Sequence, residues 1–330
     1  MNTVTLFPDL AMPATGSTGQ SESYFGFWMP GFWMQGFWIL VQNLMQLMQS
    51  LKGKVAVVTG ASRGGGRGIA LVLGEAGATV YVTGRSVRGG PTTEGRPETI
   101  DETAEGVTAR GGAGIPVRCD HTVDAEVAAL FERVKAECGR LDILVNNAWG
   151  GYERYDGDRF EDGTAFADPF WEQSMQRWEG MFTAGVRAHL VASRYAVPLM
   201  LPHRQGLIVC TTAWDRDKYL GNLFYDLAKN AVSRMAYGMA RDLRDHGIAA
   251  LALAPGLMRT ERVLAAYEGQ DFDFSITESP EYVGRAISAL AADTNVMQKS
   301  GRVLAVGDLA REYGFVDIDG RQLPAFKLEE

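Results

Sequence analysis

Tyr225 and Lys229 stand four apart in "YDLAKNA", so on a helix their side chains emerge on one face, one turn apart. A phenol with a free pKa of about 10 is a poor acid-base group at neutral pH, and an ammonium held nearby stabilises its phenolate and lowers that pKa. The pair is a candidate for moving a proton to or from a substrate oxygen, although Tyr and Lys also fall at this spacing with no chemical consequence. Thr212, thirteen residues before Tyr225, adds a hydroxyl at the end of an apolar run.

A second stretch suited to chemistry is "TGASRGGGRGIA", in which Gly60, Gly64 and Gly66 lie between a predicted strand and a helix expected to begin near Arg67. Glycine permits a tight turn and lets backbone approach a pyrophosphate, while a helix N-terminus offers free N–H groups and partial positive charge. The spacing Gly-x-x-x-Gly-x-Gly differs from the commoner Gly-x-Gly-x-x-Gly fingerprint, and a glycine-rich turn can also be only a turn. Further on, "VTGRS" ends the second predicted strand, with Gly84 and Arg85 where an acid usually holds an adenosine ribose. Without a carboxylate there, and with Arg63, Arg85 and Arg88 expected to converge, a 2′-phosphate is the better-matched ligand. NADP(H) is therefore preferred, NAD(H) being the alternative; three solvated arginines are the competing reading. Asp120, ending the third strand, can accept from an adenine amino group or cap the next helix.

These residues need a frame. Apolar runs "KVAVVTG", "ATVYVTG", "GIPVRCD", "LDILVNNA", "GLIVCTT", "IAALALAPG" and "GRVLAVG" predict seven strands, alternating with helical stretches such as 123–138 and 223–245. In the first of these, Val127, Leu130, Phe131 and Val134 form a buried stripe. The pattern is that of an α/β doubly wound parallel sheet of Rossmann type, a single domain over residues 52–312 with an extension at 1–51 and a tail at 313–330. A net charge of −8, with no Lys/Arg cluster, offers no footprint for nucleic acid. Cys119, Cys138 and Cys210 are odd in number, scattered and without a His pair, which suits reduced thiols in a cytoplasm and no metal site.

"TGASRGGG", "NNA" at 146–148, the Tyr225/Lys229 pair and "PGLMRT" at 255–260 follow one another in an order that resembles the classical short-chain dehydrogenase/reductase family, over residues 52 to 312. The resemblance implies that Tyr225 is the general acid-base residue, that Lys229 also binds the nicotinamide ribose, and that Thr212 stands for the family's catalytic serine with an added methyl. It adds Ser62, Ser86, Asn147 and Ala148 to the cofactor residues, together with Pro255, Gly256 and Thr260. It further implies a small carbonyl or alcohol substrate and a homodimer or homotetramer.

Two positions depart from the family. Gly185 replaces the usual Asn of the proton relay, with Arg187 and His189 close by, and Trp149 replaces the Gly after "NNA". Both departures resemble one branch of the family, as does the ending from "ESPEYVG" to "GFVDIDGR". Trp149, Trp214 and Arg187 are expected to line the substrate pocket. Arg187 and His189 lie two apart, so at most one faces the site; His189 can equally be a satisfied helix residue. The aromatic, acidic segments 149–170 and 257–279 follow strand ends, where substrate loops belong. An altered relay also leaves room for a cofactor-binding sensor without catalysis.

The prefix is unlike the rest. "GFWMPGFWMQGFW" repeats at a period of five, which lines one face of neither helix nor strand, whereas residues 37–51 have helical polar and apolar faces. Pro30, three glycines and the glutamines oppose a membrane span. Three readings stay open for residues 24–51: peripheral membrane contact, a protein interface, or a leader preceding a start at Met48. The enzyme itself is expected to be complete from about residue 48.

Overall fold

The computed structural model describes residues 50–156, 158–213 and 218–328. The Gly-Phe-Trp repeat, most of the helical pattern after it, and Trp214 lie outside the described residues.

All seven expected strands are present: β1 (Val55–Val58), β2 (Thr79–Gly84), β3 (Ala113–Arg118), β4 (Ile143–Asn146), β5 (Gly206–Thr211), β6 (Ile248–Ala254) and β7 (Val303–Ala305). They form one sheet in the order β3-β2-β1-β4-β5-β6-β7, and every neighbouring pair is parallel. Parallel neighbours need long crossovers. Helices supply them: α1 (Gly64–Glu75), α2 (Ile100–Ala109), α3 (Asp124–Cys138), α4 (Met175–Met181), α5 (Ala188–Met200), α6 (Leu223–Leu243), α7 (Glu261–Ala266) and α8 (Pro280–Ala292), while α9 (Val306–Tyr313) follows the last strand.

The apolar runs feed two cores. In β1, Ala56 and Val58 join the core under α1, α2, α8 and α9, whereas Val55 and Val57 join the one under α3, α5 and α6. A fully buried aliphatic side chain contributes about 1.5 to 3 kcal/mol, so a strand apolar at every position belongs inside a two-faced sheet. β3 is the exception because it is an edge: it is half-exposed and carries Pro116, which has no N–H to give to a ladder.

Boundaries differ in small ways from expectation. α1 begins at Gly64, three residues before Arg67, so the glycines form its first turn. Leu51 is fully buried and its N–H donates to the Ala76 carbonyl at 2.9 Å, which ties the last residue of the expected extension into the fold. The segment after α9 is laid along the domain. Asp317 is buried and accepts from the Ser279 N–H at 2.8 Å, and the Tyr282 hydroxyl donates to the Leu323 carbonyl at 2.9 Å.

Strand order reverses between β1 and β4, so their connections leave in opposite directions and a crevice opens beyond their C-terminal ends, where open α/β sheets hold ligands. Among the described residues, no helix is long and apolar enough to cross a membrane.

Candidate active site

Thr59, just after β1, ties the two sides of the crevice together. Its hydroxyl accepts the N–H groups of Asn147 and Ala148 at 2.9 and 3.0 Å, and the Asn147 amide donates to the Thr59 and Gly60 carbonyls at 3.2 and 3.1 Å. This close approach is what the glycines permit. A Cβ on Gly60 would stand 2.8 Å from the Ala148 Cα, and one on Gly66 only 2.2 Å from the Gly60 carbonyl oxygen. The first N–H of α1, on Gly64, donates at 2.8 Å to the carboxylate of Glu261. An anionic oxygen from the chain itself thus stands at the helix N-terminus, where a phosphate oxygen would be favoured. Ser62 is buried beside it.

Of the three arginines, two stay near the crevice. Arg63 donates to the Ser86 hydroxyl at 3.0 Å and to the Thr93 carbonyl at 3.3 Å, with Glu98 3.6 Å away. Arg85 pairs with Glu153 of the loop after β4 and lies 4.0 Å from Asp120. Arg88 does not join them. Asp101 accepts its N–H, and Glu105 grips its guanidinium at 2.6 and 2.7 Å on the exposed side of α2. The Asp120 carboxylate accepts from the N–H and hydroxyl of Thr122 at 2.9 and 2.7 Å, so it closes the turn before α3 rather than capping the helix.

The loop after β6 completes this end. Pro255 is half-buried there, and a Cβ on Gly256 would stand 2.9 Å from the Glu278 carboxyl. Burial pushes that carboxyl up to about 8. Thr260 caps α7 by accepting the Val263 N–H at 3.3 Å, and its methyl would meet a Cβ on Gly64 at 3.4 Å.

At the other end, Asn222 caps α6: its amide oxygen accepts the Tyr225 N–H at 2.9 Å, and its amide nitrogen donates to the Phe166 carbonyl at 2.6 Å and to Gln173 at 3.0 Å. One side chain thereby sets the helix start and the aromatic loop before it. The Tyr225 ring stands within 5.5 to 6.2 Å, centroid to centroid, of Trp149, Phe166 and Tyr152. Lys229 does lie on the same side of α6, with Nζ 5.4 Å from the Tyr225 ring centroid. The expected effect on acidity is not seen. Burial, followed by Tyr152, pushes the Tyr225 phenol well above its ordinary 10, and burial pulls Lys229 down to about 7. Desolvation disfavours both charged forms. The Thr212 hydroxyl donates to the Lys229 carbonyl at 2.8 Å and lies 3.2 Å from the Ser233 hydroxyl, pinning the end of β5 to α6.

The two departures from the family meet in space. Gly185 lies in a π-helical turn, Phe182–Arg187, between α4 and α5, and a Cβ there would stand 2.4 Å from the Trp149 ring. A Cβ on Gly151 would stand 2.5 Å from the ring's Cζ2. Over the indole face, 3.6 Å from its centroid, sits the Lys229 ammonium, a contact worth about 0.5 to 2 kcal/mol depending on desolvation. The indole N–H is buried and, among the described residues, has no hydrogen-bond partner.

Arg187 is not in the pocket. It is half-exposed and forms a two-point pair with Asp124 of α3 at 2.7 and 2.8 Å, because the helix turns it away from the face carrying His189. That His is buried, donates from Nε2 to the Ala148 carbonyl at 3.0 Å, and is held neutral by burial, with a pKa of about 3.

Sequence reasoning missed Tyr152, Glu153, Asn222 and Glu261. Asn222 had a local signal, an N-cap residue three before Tyr225 at a helix start. The others come from the loop after β4 and from the first residue of α7, with partners 68 to 197 residues away, and no spacing marks them.

A sequence profile for short chain dehydrogenase matches residues 54–271. The chain is 40% identical over 287 residues to mouse dehydrogenase/reductase SDR family member 1, covering 83% of this chain and 86% of the relative. It is 40% identical over 283 residues to the human protein of that name, covering 82% and 85%. This is the branch expected from the two departures and the C-terminal ending. Solved structures similar to it include a short chain dehydrogenase from Mycobacterium thermoresistibile, with TM-score 0.70 and 26% identity over 85% of this chain and 96% of that one. Another is a metagenomic short-chain oxidoreductase in complex with NADP, with TM-score 0.59 and 25% identity over 78% and 97%. With a matching family profile, 40% identity to these relatives and a fold shared with these structures, the chain belongs to the short-chain dehydrogenase/reductase family of oxidoreductases.

Proposed function

We propose that the protein interconverts a carbonyl and an alcohol on a small molecule, using NADP(H) in preference to NAD(H), with Tyr225, Lys229 and Thr212 as its working side chains. The observation that carries this is one contact path. A glycine loop with no room for side chains touches Ala148, the next residue is Trp149, and its ring touches Lys229 and Tyr225.

The residues fit a dinucleotide. Gly60 and Gly66 leave backbone bare, and the N–H at the start of α1 already donates to an anionic oxygen, that of the Glu261 carboxylate. Arg63 bonds Ser86, the neighbour of Arg85, so a 2′-phosphate would find two guanidiniums once it displaced Glu153 from Arg85. When bound, the nicotinamide supplies or accepts the hydride. In the reducing direction Tyr225 gives its hydroxyl proton to the substrate oxygen. Thr212 would hold the same oxygen after turning its hydroxyl from the Lys229 carbonyl. Trp149, Tyr152 and Phe166 surround Tyr225 with rings, which favours an apolar or aromatic carbonyl compound over a charged one.

The sensor reading draws on one fact, a lysine pulled down to about 7 at a site whose relay amide is replaced by Gly185. NADPH and NADH oxidation against aldehydes, ketones and quinones, with dissociation constants measured in parallel, separates the two. Turnover of an apolar carbonyl is expected, and tight binding with no turnover across the panel would favour the sensor.

A further inference from the structure

We infer that Trp149 is a positioning residue for Lys229: the indole face holds the ammonium beside Tyr225 where the family uses a polar relay, and Gly185 is the gap in the helix that admits the ring. The inference rests on the proposed role of Lys229 beside Tyr225.

Three observations converge. The ring can occupy its place only because two neighbours have no side chain, since a Cβ on Gly185 or Gly151 would stand 2.4 or 2.5 Å from it. Gly185 also sits in a π-helical turn, a local distortion that is frequent at functional sites. The ammonium, finally, lies over ring faces. Lys229 is buried, its Nζ is 3.6 Å from the Trp149 ring centroid and 5.4 Å from that of Tyr225, and among the described residues it has no ion pair.

A buried charge needs compensation. The titratable groups that face Lys229 are Tyr225 on its own helix, Tyr152 through Tyr225, and His189 on α5. Burial keeps both phenols above their ordinary pKa and His189 down at about 3, so all three are neutral near pH 7. Burial pulls Lys229 itself down to about 7, and what favours the ammonium form that remains is the negative face of the indole quadrupole. Trp149 and Gly185 are then one exchange made at two positions: the ring enters and the side chain at 185 leaves. Each tolerates change only together with the other.

The test needs neither cofactor nor turnover. In the full chain labelled with 13Cε-lysine, the Lys229 resonance is identified by its loss in Lys229→Met and titrated by NMR. Trp149→Leu keeps a dry, apolar filler but removes the π face, so the Lys229 midpoint should fall by about half a unit to one and a half units. Trp149→Phe, which keeps a weaker face, should fall less. An unchanged or raised midpoint in Trp149→Leu overturns the inference.

A second arm reads packing. Gly185→Ala should lower Tm clearly in the Trp149 background and much less in a Trp149→Gly background, whereas equal losses in both would overturn the exchange. Failure of these arms leaves the proposed oxidoreductase standing. That reading fails on its own terms if Tyr225→Phe turns over normally.

Discussion

The two ends of the crevice handle charge in opposite ways. At the phosphate end the cationic groups are already matched to an anion: Arg85 with Glu153, Arg63 near Glu98, and the Gly64 N–H with Glu261. At the proton end a buried lysine sits among rings, with phenols and an imidazole that burial keeps neutral. The first arrangement can exchange one anion for another at little cost, because each carboxylate leaves into water. The second cannot lose a partner so cheaply, since no solvent stands ready to replace it. Under the proposed function, ligand capture falls to a wet, exchangeable region, and proton transfer to a drier one whose side chains are fixed by packing.

The sharpest way to break that comparison is at the dry end. Tyr225→Phe keeps the ring and its aromatic contacts but removes the proton, so turnover should fall by about a hundredfold or more with NADPH affinity little changed. Near-normal turnover would remove Tyr225 from the chemistry.

Next in size is the glycine loop. Gly66→Ala forces a Cβ against the Gly60 carbonyl oxygen and the Asn147 amide, 2.2 and 2.5 Å away. Overpacking of this kind costs about 1 to 3 kcal/mol, so Tm should drop and NADPH should bind at least several-fold more weakly in calorimetry. A fully stable variant that binds normally would show that the loop has slack.

The exchangeable carboxylates predict a pair of opposite, smaller effects. Arg85→Ala should weaken NADPH about tenfold more than NADH, because a charge-assisted contact to the 2′-phosphate is lost. Glu153→Gln, which removes the resident anion, should tighten NADPH by a few-fold and leave NADH alone. Equal responses of both cofactors would place Arg85 away from the phosphate.

The smallest effect is expected from the prefix. Both ends of the crevice lie after Lys52, and Leu51 is the residue that the fold buries just before it. Deleting residues 1–47 should leave turnover of a small substrate within about a few-fold, while association changes because large amphipathic rings are removed. Liposome flotation and light scattering on both forms read the outcome. Lost vesicle binding marks an anchor, a smaller particle marks an interface, and no change in either marks a leader. Normal NADPH binding with lost turnover would mean that the prefix reaches the active site.

What the sequence determined by itself is what local pattern encodes. Seven apolar runs became seven strands because the length and burial of a strand are written in consecutive residues. The glycine loop was legible for the same reason, and so was the Tyr225/Lys229 pair, since helical pitch alone places them together. Tertiary structure decided the partners. Arg88 and Arg187 carry the right charge but are drawn to Glu105 and Asp124, neighbours that only the folded helices provide. Trp149 and Gly185, thirty-six residues apart, read as two separate departures until the backbone brought ring and gap into contact. Acidity was settled the same way. The spacing of Tyr225 and Lys229 favours mutual stabilisation of charge, and burial overrules it, because desolvation depends on everything that surrounds a group and spacing describes only one neighbour.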